Sequence, residues 1–219
     1  MSVAIMFSCL SFLGLRAVQY SDWYQQRLFA RLEHGDARQR LAASMDLATL
    51  GAEKYLLLGL QSPQAEVRET SRRALEKVWF VAAGRQAYDQ LVAAYEASER
   101  NDLEESMGIL NELIREHPDF AEAWNRRASL HWELGDCEQS MRDCQRALEL
   151  NPMHYGAWQG IGVCQLNQGD VAGACRSLRI ALKILPHDEA TRKSLRECEE
   201  LLRTYPPTEN TVIESYDLI

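Results

Sequence analysis

The sequence predicts an all-α fold built from stacked helical repeats. Two observations predict it. Marker residues in the second half recur at a 34-residue interval: Pro118, Pro152 and Pro186; Trp124 and Trp158; Ala147 and Ala181; and Asn101, Gly135 and Gly169, each followed by Asp. Agreement of several residue types at one interval marks a repeated supersecondary unit. In the first half, apolar residues fall at helical spacing as far as Phe80, the pattern of amphipathic helices.

The chain has 219 residues, of which 46% are hydrophobic, enough to bury a core. It carries 24 Lys and Arg against 32 Asp and Glu, a net charge of −8. A surface of that sign repels phosphate backbones, and no basic stripe offsets it, so nucleic acid is excluded as a general partner. Arg72-Arg73 and Arg126-Arg127 sit beside acids in helical patterns and read as solvated faces. The six cysteines, Cys9, Cys137, Cys144, Cys164, Cys175 and Cys198, form no CxxC pair; the five within the helical repeats read as small buried hydrophobes, and a structural disulfide set is the alternative if the chain is exported.

Taken in order, residues 1–20 are an apolar N-terminal segment. The run from Val3 to Leu15 has the length of a signal-peptide core, with Ala17 ahead of a cleavage point, but no Lys or Arg precedes it. It reads either as a targeting segment or as an apolar helix capping the first repeat. No other run is long enough to span a membrane.

Residues 21–84 form a helical region. Leu41, Met45 and Ala48 share one helix face. Tyr55 to Leu60 is a short, very apolar helix, and Gln61-Ser62-Pro63 is a turn. The helix from Glu66 to Phe80 turns Val67, Ala74, Leu75 and Val78 inward. The stretch from Leu60 through Pro63 to Val67-Arg68, leading to Ala74-Leu75, resembles a HEAT-type repeat; the alternative is an unclassified helical bundle capping the solenoid. Residues 80–84 join this region to the next without a flexible linker.

Residues 87–203 hold three units, 87–120, 121–154 and 155–188, and a polar capping helix, 189–203, with the apolar stripe Leu195, Cys198 and Leu202. In 121–154 the recurring residues are Trp124, Ala128, Ser140, Cys144, Ala147 and Pro152. In 155–188 they are Trp158, Gly162, Ala174, Leu178, Ala181 and Pro186, and in 87–120 the looser set Gln90, Ala94, Ser106, Leu110, Leu113 and Pro118. Small residues suit the crossing of two antiparallel helices. The Gly-Asp pairs end one helix and start the next, and the prolines stop the second helix of each unit. Residues 204–219 are a tail that starts Tyr205-Pro206-Pro207.

This pattern resembles the tetratricopeptide repeat family over about half of the chain. The resemblance implies a right-handed helical solenoid of three such units plus a capping helix, continuing from the HEAT-like region. It also implies work by protein binding rather than catalysis, with no cofactor. The partner is a protein or peptide, and the family's concave groove, lined by the first helix of each unit, would hold it. Carried onto this sequence, the groove residues are Tyr88, Leu91 and Tyr95, then Asn125, Ser129 and Trp132, then Gln159, Val163 and Leu166. Some family members clamp the acidic C-terminus of heat-shock chaperones with Lys, Arg and Asn. The corresponding positions here hold Leu91, Tyr95, Arg126, Gly156 and Gly160, so only one of the positive charges remains. A second reading is an exported or organellar assembly factor whose residues 1–17 are cleaved.

Chemistry has little to start from. None of the histidines His34, His117, His131, His154 and His187 lies four residues from another, so no helical metal pair forms. Gly156, Gly160 and Gly162 fall on a first helix and read as close-packing positions rather than a phosphate loop.

Overall fold

The computed structural model describes residues 21–205. The targeting-segment reading falls on residues 1–20, and most of the tail on 206–219, all outside the described residues. The described residues form eleven helices: α1 (Asp22–His34), α2 (Ala37–Thr49), α3 (Glu53–Leu60), α4 (Ala65–Phe80), α5 (Arg85–Glu99), α6 (Leu103–Glu116), α7 (Ala121–Glu133), α8 (Cys137–Leu150), α9 (Tyr155–Asn167), α10 (Val171–Ile184) and α11 (Glu189–Thr204). None of these helices is long and apolar enough to cross a membrane. The chain divides into two compact units, one ending at Ala123 and one starting at Trp124.

In the first unit, α1 and α2 are capped by side chains. Ser21 accepts from the Tyr24 amide at 3.3 Å. Asp36 and Gln39 satisfy each other's backbone amides in a capping box. The short α3 is too brief to hold alone and is fixed by its neighbours. Tyr55, Leu56, Gly59 and Leu60 are all buried. The Tyr55 hydroxyl donates to Asp22 at 2.7 Å, holding that carboxyl below its usual range. Gly59 lets α4 approach closely, since a Cβ there would stand 2.0 Å from Ser71 Oγ.

The turn before α4 shows why Val-Arg stands at its start. Val67 is fully buried, while Arg68 reaches back to donate to the carbonyls of Ser62 at 2.9 Å and Pro63 at 2.7 Å. Val67, Ala74 and Leu75 face inward as expected, but Trp79 takes the last inward place and Val78 is only half-buried. On α2, Leu41, Met45 and Ala48 do share one face, but it is not the buried one. Leu41 and Met45 are 57% and 51% exposed, and the buried side of the helix is Ala43, Ser44 and Leu47. Ala43 stands beside Leu28 of α1, while Leu41, Ser44, Met45 and Ala48 line an open hollow beside Glu69 and Arg73 of α4, where the two longer side chains keep exposed area. In α5 and α6 the core stripe is Ala87, Leu91, Ala94 and Ala97 against Ser106, Leu110, Leu113 and Ile114. Ser106 donates to the Ala94 carbonyl at 2.9 Å, so its buried hydroxyl is satisfied.

The second unit contains two clusters. Ala128, Cys144, Ala147, Ala157 and Ile161 pack together with Trp124 and Leu148 against them. Ala174, Cys175, Leu178 and Cys198 form the other, covered by Leu166, Leu195 and Leu202, which puts the α11 stripe where the sequence places it. Each buried leucine of this kind contributes about 1.5–3 kcal/mol. Close packing at the glycines is direct: a Cβ on Gly160 would lie 2.8 Å from Cys144 Sγ, and one on Gly162 2.8 Å from Leu178.

The repeat interval is written in the backbone as well. Asn101, Gly135 and Gly169 have φ of 61°, 81° and 82°, the left-handed conformation that ends a helix. The following aspartates each cap the next helix: Asp102 accepts from the Glu105 amide, Asp136 from Gln139 and Asp170 from Gly173. At the other ends, the amides of His117, Asn151 and Leu185 bond back to Leu113, Ala147 and Ala181, and a proline follows each.

Candidate partner-binding surface

The nine groove residues read from the sequence fall on three helices. In the first unit, α5 carries Tyr88, Leu91 and Tyr95. Leu91 is 1% exposed and belongs to the core stripe, because it shares a helix face with Ala87 and Ala94. It has no surface left to offer a partner. Tyr88 and Tyr95 are half-buried. The Tyr95 ring lies 6.1 Å from that of Phe80, the last residue of α4, in a tilted pair. These rings and Val92 line a hollow of about 550 Å³ whose rim is Glu96, Glu99 and Arg100. Arg100 is ion-paired to Glu105 at 2.7 Å. Phe80 and Val92 were not among the residues read from the sequence. Their only signal there is an aromatic at a helix end and an apolar residue beside the core stripe.

In the second unit, α7 carries Asn125, Ser129 and Trp132. Asn125 is 8% exposed, too enclosed to be a main contact. Ser129 is exposed and donates to the Asn125 carbonyl at 3.1 Å. Trp132 is 37% exposed, one turn further along the same helix. On α9, Gln159, Val163 and Leu166 are half-buried. Gln159 is committed to structure: it donates to Thr191 Oγ1 at 2.6 Å and to Asp188 Oδ2 at 3.3 Å, tying α9 to the N-cap of α11. Leu166 packs on the core cluster beneath α11. The residues with surface to spare are therefore Tyr88, Tyr95, Ser129, Trp132 and Val163.

Below the surface lies a polar pair that corrects the reading of Arg127 as part of a solvated face, since its side chain is only 19% exposed and is spent on a buried carboxylate. Arg127 on α7 donates to both oxygens of Asp143 on α8, at 2.7 and 2.8 Å, and its guanidinium sits 4.9 Å from the Trp124 ring centre. His131 Nε2 stands 3.8 Å from the same carboxylate. Asp143 is 4% exposed, so the bidentate arginine is what makes its charge tolerable there. A signal was present: one interval away, the matching positions hold Ala93 and Ile161, and Ile109 and Ser177.

The thiols are quiet. Burial pushes Cys144 up to about 12 and Cys198 to about 11, and raises Cys164 and Cys175 as well. Such thiols are poor nucleophiles at neutral pH. Among the described residues no group of three His, Cys, Asp or Glu could hold a metal ion.

The punctuated helical pairs and their small-residue crossings define a helical-repeat protein with partly exposed aromatic side chains on its first helices. The tetratricopeptide repeat family model matches residues 80–152 and 126–189, and the chain belongs to that family. A TPR repeat-containing protein of Rhizobium etli is 32% identical over 97 residues, covering 44% of this chain and 48% of that protein. The Hsp70-Hsp90 organizing protein of Triticum aestivum is 24% identical over 119 residues, 52% of this chain and 20% of its own length. This chain thus spans about half of the first relative and a fifth of the second. Among solved structures, the first TPR of Spaghetti (RPAP3), bound to the HSP90 peptide SRMEEVD, superposes with a TM-score of 0.52 at 17% identity, over 53% of this chain and 93% of that one. The Sgt2 TPR domain from Aspergillus fumigatus gives 0.52 at 14% identity, over 60% and 92%. At these identities the likeness is one of fold.

Proposed function

We propose that this chain is a non-catalytic scaffold that holds a peptide or helical segment of a partner protein on the first helices of its tetratricopeptide units. The observation that carries this reading is Trp132. The residue is 37% exposed, and its indole has no ring or hydrogen-bond partner among the described residues. Holding a tryptophan in water wastes apolar area that a partner would bury, and exposed Trp and Tyr are the usual anchors of such contacts. Exposed Ser129 and the half-buried Tyr88, Tyr95 and Val163 present the same kind of surface on α7, α5 and α9.

The relatives favour a peptide as the partner. One relative is an Hsp70-Hsp90 organizing protein, and one solved neighbour was bound to an HSP90 peptide. The acidic-peptide clamp is not the mode we carry over. Leu91, Tyr95, Gly156 and Gly160 stand where the clamp would need polar or basic groups, and of these Leu91 is in the core. The test is affinity capture of partners with wild type and with the Trp132→Ala, Tyr95→Ala double variant, each checked by circular dichroism. Loss of specific partners from the folded double variant is the expected result. An unchanged partner set would remove the first helices as the binding surface.

A further inference from the structure

We propose that the hollow at the end of α4 and α5 takes a peptide segment with an apolar anchor flanked by lysine or arginine, a partner opposite in charge to an acidic chain terminus. The proposal rests on the scaffold reading above and specifies its ligand. The hollow, of about 550 Å³, is large enough for one or two side chains and is floored by Phe80, Val92 and Tyr95, all half-buried. Apolar surface of that kind gains by being covered.

The rim decides the sign of the charge. Glu96 and Glu99 are exposed, and neither has an ion-pair partner among the described residues. The one basic rim residue, Arg100, is neutralised by Glu105 at 2.7 Å. The rim therefore presents two unanswered carboxylates. Phe80 and Glu99 are also the final residues of α4 and α5, so the carbonyl ends of two helices lie at the hollow and add negative potential. An acidic peptide would meet repulsion from each of these sources, and a basic one attraction. The whole chain, with its net charge of −8, steers approach in the same direction.

Three fluorescein-labelled heptapeptides test this on the full chain by fluorescence anisotropy. All share a Leu-Phe-Leu centre, flanked on each side by two lysines, two glutamines or two glutamates. The lysine peptide is expected to bind about tenfold or more tightly than the glutamate peptide at low salt, with the gap shrinking at about 0.3 M salt. Glu96→Gln with Glu99→Gln, at exposed positions that leave the fold intact, is expected to weaken the lysine peptide by about three- to tenfold and to leave the glutamine peptide within about twofold. Tyr95→Ala is expected to weaken the lysine and glutamine peptides alike. The proposal is overturned if the glutamate peptide binds as well as the lysine peptide, if the double glutamine variant leaves the lysine peptide unchanged, or if none of the three binds. In the first two cases, weakening by Tyr95→Ala would keep the scaffold reading and reject only the charge assignment. An unchanged partner set from the Trp132→Ala, Tyr95→Ala variant would reject the scaffold reading itself.

Discussion

Gly162 and Gly108 both sit inside helices, yet replacing each by alanine should change stability in opposite directions. Alanine in a helix interior is favoured over glycine by about 0.8–1.0 kcal/mol when nothing else intervenes. At Gly108, exposed on α6, an added Cβ meets nothing within 4 Å, so Gly108→Ala should gain roughly that amount. At Gly162 the Cβ would lie 2.8 Å from two carbons of Leu178 and 3.5 Å from the Ala174 carbonyl. Leu178 is fully buried among Ala174, Cys175 and Cys198, so making room disturbs that cluster or the spacing of α9 and α10. Overpacking of this kind costs about 1–3 kcal/mol, which cancels or exceeds the propensity gain. The net for Gly162→Ala is a loss of roughly 0–2 kcal/mol. In a chain of this size about 1 kcal/mol moves Tm by roughly 2–4 °C. Thermal melts followed by far-ultraviolet circular dichroism should rise for Gly108→Ala and hold or fall for Gly162→Ala. Hydrogen exchange would assign the first change to α6 and the second to α9 and α10, because repeat proteins feel such changes locally. Equal stabilisation by both variants would refute the close crossing of α9 and α10.

Further expectations come from the same geometry. Gly135→Ala adds no clash, since nothing lies within 4 Å, but forces a left-handed alanine and should cost about 1–2 kcal/mol by chemical denaturation. Asp136→Ala removes the bond to the Gln139 amide and should cost about 1 kcal/mol, with faster exchange in the first turn of α8. Arg127→Met strands the Asp143 carboxylate and should cost about 3–5 kcal/mol, most of it recovered when Asp143→Leu is added, as a double-mutant cycle would show. Under alkylation with iodoacetamide near pH 8, mass spectrometry should find Cys137, the half-buried thiol, modified well before Cys144 and Cys198, whose burial holds them at about 12 and about 11.

The second half of the fold was legible because its signals are local. A left-handed residue, an aspartate cap and a stopping proline act within a few residues of where they stand, so Asn101, Gly135 and Gly169 place helix ends without knowledge of the neighbours. The α2 face was not legible in the same way. Leu41, Met45 and Ala48 have the spacing of a buried stripe, but spacing gives only the existence of a face, not what covers it. The three line an open hollow beside α4, and the buried residues of the helix are Ala43, Ser44 and Leu47. The groove residues show both outcomes within one helix. Tyr95 keeps exposed area, while Leu91, one turn earlier, is consumed by the contact with α6. The hollow beside Tyr95 depends on Phe80, 15 residues upstream, so only the folded chain brings the two together.

The Arg127–Asp143 pair has a consequence for how such a chain assembles. Units that copy one another invite a helix to dock against the wrong copy. An α7 that met α10 in place of α8 would set Arg127 against Ser177, and an α9 that took the place of α7 on α8 would set Ile161 against Asp143. Each exchange would bury a lone charge, and the penalty for that is several kcal/mol. Most of the helix crossings rely on small apolar residues that are nearly interchangeable between units. The crossing with the buried Arg127–Asp143 pair is not interchangeable, and it acts as an address that fixes the order of the repeats while the chain folds.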